Sequence, residues 1–252
     1  MREIKMINIS EPAREVLSRS IITSDSVKLP EQLDRKLYVE IDRVFKAAGG
    51  KWNRGRGVHL FSLDPRMVLG LAVDTGAIVD TKKTMQQFFT PAPIADLMVE
   101  RAELFDGANV LEPSAGQGAI LDAIQRVCVP RGWACECTAV ELDVALAQFL
   151  CRPQRLASFV AQRDFLLLTP NELGHFDRVL MNPPFTGGQD IAHIQHALAF
   201  VKPFGRLVAI CADGPRQREE LRSLASTWEE LPPGTFSESG TNVRTALLMI
   251  NT

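Results

Sequence analysis

The residues of this sequence with the most distinctive chemistry are Asn182, Pro183, Pro184 and Phe185, which directly follow the apolar stretch FDRVLM. Neither proline has an N–H to donate and both have a fixed φ, so the Asn182 amide and the Pro183 carbonyl are held rigidly. Both groups accept hydrogen bonds from an amino group, and Phe185 offers a face on which a planar group can stack. The alternative role for these four residues is a rigid turn followed by a phenylalanine of the core. This alternative is the weaker one because the chain also contains a glycine-rich loop that suits a ligand.

That glycine-rich segment, Glu112-Pro113-Ser114-Ala115-Gly116-Gln117-Gly118, follows the apolar residues NVL. Glycines between a strand and a helix let a ligand lie against the backbone and leave the first helix amides free to bond it. A dinucleotide-binding loop would have a third glycine three positions after Gly118, where Leu121 stands, and Glu112 would repel a pyrophosphate. The segment therefore predicts a loop for a ligand without phosphates.

Two further strand ends carry residues that suit an adenosine. Glu141 ends the segment CTAVEL, where a carboxylate can accept bonds from both hydroxyls of a ribose. Asp164 and Phe165 follow SFVAQR, and an acceptor beside an aromatic ring suits the amine and the face of adenine. Taken singly, the two carboxylates are typical solvated strand ends and Phe165 is a typical core residue. Together they outline an adenosine whose attached sulfonium would lie near Glu112.

These residues lie at the ends of segments that alternate between strand and helix patterns from residue 107 onwards. The predicted strands are NVLEPS, CTAVELD, SFVAQRD, RVLMNPP and RLVAICA, and the predicted helices begin at about Gly118 and at Asp143 or lie near 190–201 and 215–225. This alternation predicts a parallel sheet with helices on both faces, whose ligands bind at the carboxyl ends of the strands. The segments GTFSESG and VRTALLMIN predict an antiparallel edge. The expected fold class is α/β, with a mostly parallel sheet, an antiparallel edge strand and a small N-terminal α+β segment.

The first 85 residues predict that smaller α+β unit. The segment YVEIDRVFKAA at 38–48 has apolar residues at helical spacing, and two glycines end it. The segment KWNRGRGVHLF predicts a basic turn that leads into a strand, and a second helix is predicted from Asp64 with Pro65 in its first turn. The expected organisation is an N-terminal unit at 1–85 and a larger domain at 86–252.

Composition places the chain among globular proteins, with 252 residues, 46% hydrophobic and 23% charged. No apolar run approaches the roughly 18 residues of a membrane span, and the N-terminus lacks a signal-peptide pattern, so a cytoplasmic protein with no membrane partner is expected. Five cysteines without a CxxC pair indicate neither a disulfide framework nor a zinc site. Residues 1–85 carry 15 Lys+Arg against 11 Asp+Glu, a charge of +4, and the remainder carries −6. This division fits a polyanion that approaches the N-terminal side, and it fits an ordinary solvated surface equally well.

The segments QFFTP at 87–91, EPSAGQG, VELD, RDF and NPPF occur in an order typical of gamma-type S-adenosylmethionine-dependent N6-adenine DNA methyltransferases. The chain resembles that family over residues 86 to about 212. Many methyltransferases share the glycine loop and the acidic strand end, NPPF narrows the set to enzymes that modify a planar nitrogen, and FFTP points to the DNA enzymes. The resemblance implies a class I, Rossmann-like methyltransferase fold with S-adenosylmethionine as cofactor and without a metal.

The resemblance also implies the residues of the site. The cofactor-binding residues would be Phe89, Thr90, Pro91, Glu112, Ser114, Ala115, Gly116, Gly118, Glu141, Leu142, Asp164, Phe165 and Asn182, and the catalytic residues would be Asn182, Pro183, Pro184 and Phe185. The Asn182 oxygen and the Pro183 carbonyl would draw the adenine amine toward a tetrahedral geometry with its lone pair aimed at the methyl group. Phe185 stands where many relatives have Tyr, and Arg163 precedes Asp164 where a small or polar residue is common.

A base inside a duplex cannot reach such a pocket, so the expected partner is duplex DNA with the target base flipped out. No large C-terminal recognition domain is expected. The candidates for phosphate contacts are therefore Lys51, Arg54, Arg56, Lys82 and Lys83. A cap packed on the larger domain is the alternative role for residues 1–85. Target recognition by a separate specificity partner or through a homo-oligomer is also consistent with the sequence.

Three other functions stay open on the sequence alone. An RNA or tRNA adenine methyltransferase would differ in substrate only, a protein glutamine methyltransferase would use the same NPP geometry, and a non-catalytic module would keep only the fold. Glutamine enzymes usually have NPPY, so Phe185 and the FFTP segment argue against them. A non-catalytic module would be expected to lose motif residues, which this chain keeps. His193 and His196 lie three residues apart on one predicted helix without a third metal ligand, so they are expected to be surface or packing residues.

Overall fold

A computed structural model describes residues 6–61, 65–79, 90–151, 156–237 and 241–252. The chain divides into two compact units, Met1–Gln87 and Phe88–Thr252. None of the helices in the described part of the chain has the length and apolar character needed to cross a membrane.

In its described residues, the N-terminal unit combines two small antiparallel sheets with three helices. Its elements are β1 (Met6–Asn8), α1 (Glu11–Arg19), β2 (Ile21–Ile22), β3 (Ser26–Lys28), α2 (Arg35–Ala47), β4 (Lys51–Asn53), β5 (Val58–Leu60), α3 (Pro65–Thr75) and β6 (Ala77–Val79). One sheet has the strand order β2-β3-β5-β4, and β1 pairs with β6 in the other. The unit has its own apolar core, to which α1, α2 and the strands contribute.

Helix α2 forms where the apolar spacing predicted a helix, and its ends have clear physical causes. The Asp34 side chain accepts the N–H groups of Lys36 and Leu37, which stabilises the first turn. Gly49, with φ at 84°, follows the last turn in a backbone conformation that favours glycine. The predicted helix at 38–48 is confirmed, although it begins three residues earlier because the cap lies at Asp34.

The basic segment after α2 is a hairpin, which goes beyond the predicted turn and single strand. β4 and β5 pair antiparallel, with Trp52 opposite His59. The turn between them contains Arg54 and Arg56, and the Asn53 side chain accepts the Arg56 N–H. The predicted next helix is present as α3, which begins at Pro65, and its predicted first residue, Asp64, lies outside the described residues.

The second unit is a layered α/β domain. Its strands are β7 (Asn109–Glu112), β8 (Glu136–Val140), β9 (Ala157–Ala161), β10 (Phe176–Met181), β11 (Val201–Ala212), β12 (Thr227–Glu230) and β13 (Thr245–Asn251). Its helices are α4 (Ala92–Ala102), α5 (Ala119–Arg131), α6 (Val144–Leu150), α7 (Pro170–Leu173), α8 (Gln189–Ala197) and α9 (Pro215–Leu221). The seven strands form one sheet in the order β12-β13-β11-β10-β7-β8-β9.

Five neighbouring strands of this sheet, from β9 through β8, β7 and β10 to β11, are parallel, and β13 runs antiparallel to both β11 and β12. Val110 and Val208 pack into one apolar cluster with α4 and α5. Their sequence neighbours Leu111 and Ala209 pack into a second cluster with α8. Since successive strand residues point to opposite faces, helices cover both faces of the sheet. The predicted α/β class with a mostly parallel sheet is confirmed.

One predicted strand was wrong. The segment GTFSESG was expected to pair with VRTALLMIN, but residues 234–237 form turns and 238–240 lie outside the described residues. The strand beside β13 is β12, in which Trp228 pairs with Leu248. The sequence did not predict β12 as a strand because its segment TWEE is partly exposed at the edge of the sheet and contains two glutamates, so it has no apolar strand pattern.

Gly50→Ala is expected to destabilise the N-terminal unit by roughly 1–3 kcal/mol, the usual cost of overpacking a core. A Cβ at this position would lie 2.7 Å from two ring atoms of Phe61 and 3.0 Å from the Phe45 carbonyl oxygen. Differential scanning calorimetry measures the effect. Gly55→Ala in the adjoining hairpin is the matched control, because its Cβ would meet only the Asn53 Oδ1 at 3.6 Å. Equal melting temperatures for the two variants would contradict this packing.

Candidate active site

The candidate site residues lie along one edge of the seven-stranded sheet. β7 ends at Glu112, Glu141 directly follows β8, and Asn182 directly follows β10. Asp164 lies three residues after the end of β9. These four strands are parallel neighbours, so their carboxyl ends meet at the same edge, where ligands bind in open α/β sheets.

Glu112 is a buried carboxyl group at the centre of this edge. Its side chain is 2% exposed, and its Oε2 has no hydrogen-bond partner among the described residues. Burial raises the pKa of Glu112 well above its usual range, and the nearby Asp122 and Glu141 raise it further, whereas a backbone hydrogen bond from Leu121 lowers it. An ionised Glu112 therefore needs a positive charge beside it.

Glu141 connects the glycine-rich loop to the end of β8. Its Oε2 accepts the Gly116 N–H at 2.7 Å and its Oε1 accepts the Asp143 N–H at 2.8 Å. The loop is also held by a backbone hydrogen bond from the Ala115 N–H to the Val140 carbonyl. Burial raises the pKa of Glu141 and these backbone hydrogen bonds lower it. Each carboxylate oxygen has more than one acceptor position, so the predicted contact with ribose hydroxyls stays compatible with both bonds.

The loop backbone requires glycine at two positions. Gly116 has φ at 55° and Gly118 has φ at 80°, both in the left-handed region that side chains rarely adopt. Helix α5 starts directly after Gly118, which as a glycine has no side chain to cap the first turn. The N–H of Leu121 in that turn bonds to the Glu112 carboxyl group, and contacts of a ligand with the remaining helix N-terminal amides stay a prediction.

A hydrogen bond joins two predicted motif segments that are 92 residues apart in the chain. The Asn182 Nδ2 donates to the Thr90 Oγ1 at 3.0 Å. Because the side-chain nitrogen of Asn182 is directed to Thr90, the predicted hydrogen-bond acceptor of Asn182 is its side-chain oxygen. Pro91 is the N-cap residue directly before α4, and Phe89, also predicted to lie here, is outside the described residues.

Phe185 lies deeper than a stacking surface would require. Its side chain is 6% exposed and packs edge-to-face against Phe236, with ring centroids 5.9 Å apart and planes at 85°. The core phenylalanine considered as the alternative is therefore part of its role. Stacking of a target base on this ring stays a prediction.

The Asp164-Phe165 pair is also tied into the structure. The Asp164 Oδ1 accepts the Leu166 N–H and begins a short 3-10 turn. The Phe165 ring is buried, with its centroid 4.9 Å from that of His196 and 5.1 Å from that of Phe200. In contrast, Leu142, the other predicted neighbour of the adenine, has a half-exposed side chain. The adenine contacts of all three stay predictions.

His193 and His196 are packing residues, as predicted. The His193 side chain is buried near the Phe165 ring, and burial lowers its pKa to about 4. His196 has its Nε2 at 3.0 Å from the Leu168 carbonyl oxygen. The described residues contain no group of three or more His, Cys, Asp or Glu side chains that could hold a metal ion.

In the N-terminal unit, the predicted phosphate-binding residues Lys51, Arg54 and Arg56 are exposed side chains of the β4–β5 hairpin. Trp52 lies between them, 50% exposed, with its ring centroid 4.9 Å from that of the buried His59. The hairpin thus contains a half-exposed aromatic ring and three exposed cationic side chains. Lys82 and Lys83, the other two candidates, lie outside the described residues.

A buried polar cluster behind the NPPF turn was not predicted from the sequence. The Asp190 side chain, on the first turn of α8, is fully buried. Its Oδ2 accepts the Ala212 N–H at 2.9 Å, and Gln217 Nε2 donates to both carboxylate oxygens. A carboxylate on the first turn of a helix is usually solvated, where it interacts favourably with the helix dipole, so the pattern did not indicate its burial.

The strand order with an antiparallel β13, the helices on both faces and the loop–carboxylate edge define a class I S-adenosylmethionine-dependent methyltransferase fold, as predicted. The methyltransferases that share this fold use S-adenosylmethionine as their cofactor. The chain is similar to the methyltransferase subunit of a type I restriction-modification system from Streptococcus thermophilus, with a TM-score of 0.54 and 20% identity, covering 72% of this chain and 48% of that one. No protein-family model matches the sequence.

Two curated relatives are both methyltransferases, and one of them is named for ribosomal RNA. The type II methyltransferase M.HincII of Haemophilus influenzae is 27% identical over 114 residues, which are 45% of this chain and 20% of the relative. The ribosomal RNA small subunit methyltransferase A of Chlorobium phaeobacteroides is 37% identical over 107 residues, which are 42% of this chain and 38% of the relative. The match thus spans about a fifth of the length of the first relative and two fifths of the second.

Glu112→Gln is expected to remove a pH-dependent destabilisation of the ligand-free protein. Because the pKa of Glu112 is raised in the folded state, the unfolded chain binds fewer protons between the ordinary pKa of a glutamate and the raised one. The stability of the parent should fall as the pH rises through that window, whereas the variant should lack this component. Melting temperatures measured across the window test it, with Glu136→Gln at the exposed start of β8 as the control. Parallel pH profiles for the parent and Glu112→Gln would contradict this expectation.

Proposed function

We propose that this chain is an S-adenosylmethionine-dependent methyltransferase that transfers a methyl group to the N6 amine of adenine in DNA. The hydrogen bond between Asn182 and Thr90 is the observation that carries the proposal. It joins the TP and NPPF segments at the sheet edge that also holds Glu112 and Glu141, which is the combination expected of an amine-modifying site beside a cofactor loop.

The residues of this edge fit the charge of S-adenosylmethionine. The buried Glu112 has an oxygen with no partner among the described residues, and a cationic sulfonium or ammonium group would compensate its charge. A phosphate would instead face two buried carboxylates, Glu112 and Glu141. The residues that would hold the cofactor are Phe89, Thr90, Pro91, Glu112, Ser114, Ala115, Gly116, Gly118, Glu141, Leu142, Asp164, Phe165 and Asn182.

The reaction requires an amine that is held and activated. S-adenosylmethionine, when bound, supplies an electrophilic methyl group on a sulfonium centre. The Asn182 oxygen and the Pro183 carbonyl accept the two N–H bonds of the adenine amine, which directs the nitrogen lone pair away from the ring system. The new N–CH3 bond would form as the bond between this methyl group and sulfur breaks, and the electron pair of the broken bond would stay on sulfur, so that S-adenosylhomocysteine is the leaving group. The nitrogen would then carry one proton too many, and that proton would depart to solvent from an N–H already held by these acceptors.

Phe185 acts in this proposal through its fixed position. Packing against Phe236 holds the ring and with it the turn that contains Pro183 and Pro184. A flipped base that stacks on an aromatic ring gains about 1–3 kcal/mol. The expected duplex substrate would therefore deliver its target base to this turn by flipping.

The relatives leave two nucleic acids as candidates. The type II methyltransferase supports DNA, as do the NPPF and FFTP segments, whereas the ribosomal RNA methyltransferase supports RNA as the second candidate. Similarity to the methyltransferase subunit of a type I restriction-modification system supports a separate specificity partner. Protein glutamine methylation has the least support because Phe185 replaces the tyrosine of the NPPY form. A cytoplasmic location accompanies all of these functions.

The N-terminal hairpin is the proposed contact for the nucleic-acid backbone. Lys51, Arg54 and Arg56 are exposed in the same hairpin as the half-exposed Trp52, and a segment that combines cations with an aromatic side chain suits phosphates and unstacked bases. Arg56 has a carboxylate neighbour, Asp25, but the two groups are 4.0 Å apart and both side chains are exposed, so this pair contributes little and leaves Arg56 available. Lys82 and Lys83 are proposed to add to the same basic segment.

Methyl transfer from tritiated S-adenosylmethionine tests the proposal directly. The full chain is offered duplex DNA, single-stranded DNA, total RNA and a protein extract in separate reactions. The proposal requires label in DNA. Label in RNA alone would favour the second candidate, label in protein would favour glutamine methylation, and binding of S-adenosylmethionine without transfer to any of the four would favour a non-catalytic module.

Asn182→Ala is expected to lower the rate of methyl transfer about 10²–10³-fold, the typical effect of losing one preorganised polar group at a reacting centre. Asn182 is only one of the proposed cofactor residues, and the glycine loop, Glu141 and Asp164 are unchanged, so the affinity for S-adenosylmethionine measured by calorimetry should change little. Thr90→Val, which removes only the hydroxyl that positions Asn182, should give a smaller loss. Transfer at the parental rate by Asn182→Ala would refute the mechanism, and loss of cofactor binding would make the residue structural.

Charge reversal of Lys51, Arg54 and Arg56 together is expected to weaken nucleic-acid binding and to flatten its dependence on salt, because fewer counterions are released. Fluorescence anisotropy of a labelled duplex across a range of salt concentrations measures both quantities. The control reverses the same number of exposed charges outside the hairpin, at Lys28, Lys36 and Arg43. Equal salt slopes for the two triple variants would remove the hairpin from the binding surface.

A further inference from the structure

We infer that Arg216 is a substrate-contacting cation at the rim of the candidate pocket, where its guanidinium binds a phosphodiester of the nucleic acid next to the target base. The inference rests on the proposed function and deepens it, since it names a recognition contact inside the larger unit. Neither the motif segments nor the basic N-terminal hairpin includes this residue.

Arg216 lies against the turn that directly follows the NPPF segment. Its Nη1 donates to the Gly187 carbonyl at 3.3 Å. A Cβ placed on Gly188 would lie 2.8 Å from the Arg216 Nη1 and 2.9 Å from its Cζ. Both glycines have positive φ, at 67° and 79°. The turn therefore lacks side chains at the two positions where the guanidinium approaches it.

Buried polar contacts fix the position of the helix turn that carries Arg216. Gln217, the next residue, is buried and donates from Nε2 to both oxygens of Asp190, which also accepts the Ala212 N–H. Asp190 lies on the helix that begins directly after Gly187 and Gly188. These contacts thus hold the start of α9 beside the helix that follows the NPPF turn. The backbone that carries Arg216 is therefore fixed next to that turn.

The charge of Arg216 remains available for a ligand. The side chain is exposed and makes no ion pair with any carboxylate in the ranges that the structure describes. Arg218, two residues further, differs because its Nη2 contacts Asp213 at 2.8 Å and Glu230 at 2.6 Å. A guanidinium with free donors matches the geometry of two phosphate oxygens.

The location favours a phosphodiester of the substrate over an anionic group of the cofactor. Arg216 contacts the turn that follows Phe185 and the proposed amine acceptors. The proposed cofactor residues Glu112 and Glu141 lie instead at the ends of other strands. A base that leaves the duplex for the Asn182 pocket brings its own flanking phosphates to the rim of that pocket. A cation held at the rim would bind those phosphates and help to keep the base extruded.

Arg216→Glu in the full-length chain tests the inference. The probe is a fluorescein-labelled duplex of mixed sequence, with a labelled single-stranded RNA as a second probe, and binding is followed by fluorescence anisotropy at several salt concentrations. The expected result is at least a tenfold weaker affinity and a plot of log K against log salt that is shallower by about one unit. Arg216→Lys should recover part of the affinity because it restores the charge without the bidentate geometry.

Arg222→Glu is the matched control, since it makes the same charge change at an exposed arginine that follows the same short helix. Six residues correspond to about 240° around a helix, so its side chain leaves the helix on another side. Melting temperatures and calorimetric affinities for S-adenosylmethionine should be equal for the parent, Arg216→Glu and Arg222→Glu.

Three outcomes would overturn the inference. Equal affinities and salt slopes for Arg216→Glu and Arg222→Glu would remove Arg216 from the interface and leave the proposed function intact. Loss of S-adenosylmethionine affinity in Arg216→Glu, with nucleic-acid affinity unchanged, would place the arginine in the cofactor site. Failure of the parent to bind either probe would refute both the inference and the proposed nucleic-acid substrate.

Discussion

The Glu141 carboxylate, which accepts the backbone N–H groups of Gly116 and Asp143, is the interaction on which the candidate site depends. A buried carboxylate is costly unless hydrogen bonds compensate it, and here the compensating donors belong to two different loops. The bond to Gly116 fixes the glycine-rich loop against the end of β8. The loop in turn determines where α5 begins, and its backbone lies beside the buried Glu112.

Glu112 differs from Glu141 in how far the oxygens of its carboxyl group are satisfied by hydrogen bonds. Both are buried at the ends of neighbouring strands, but Glu112 keeps an oxygen without a partner among the described residues. A native protein rarely leaves such an atom unpaired. A cationic ligand would supply the missing partner and would oppose the burial that raises the pKa of Glu112.

The substrate side of the site depends on contacts from several parts of the chain. Thr90 holds the Asn182 amide, Phe236 packs on Phe185, and Arg216 covers the following glycines. These residues come from the segment before α4, from the segment before β13 and from α9, so no local pattern specifies the turn. Its rigidity arises from tertiary structure, and the two prolines add to a geometry that the packing already determines.

The parts of the fold that could be predicted from the sequence are those that depend on local chemistry. Strand–helix alternation and strand-end carboxylates predicted the parallel sheet and brought the candidate site residues to one of its edges, because an apolar run that ends in an acidic residue is characteristic of a buried strand with a polar end. The pattern did not identify β12, since an edge strand with one partner needs no strong apolar pattern. The burial of Asp190 and the packing of Phe185 on Phe236 were also missed, because both depend on residues far away in the chain.

The identity of the methylated atom tests the proposed chemistry most directly. The full chain would be incubated with methyl-deuterated S-adenosylmethionine and duplex DNA of mixed sequence, and the DNA would then be digested to nucleosides for mass spectrometry. We predict that the deuterated methyl group appears in N6-methyldeoxyadenosine. Label in methylated cytosine, or label found only when RNA or protein replaces the DNA, would contradict the proposed reaction.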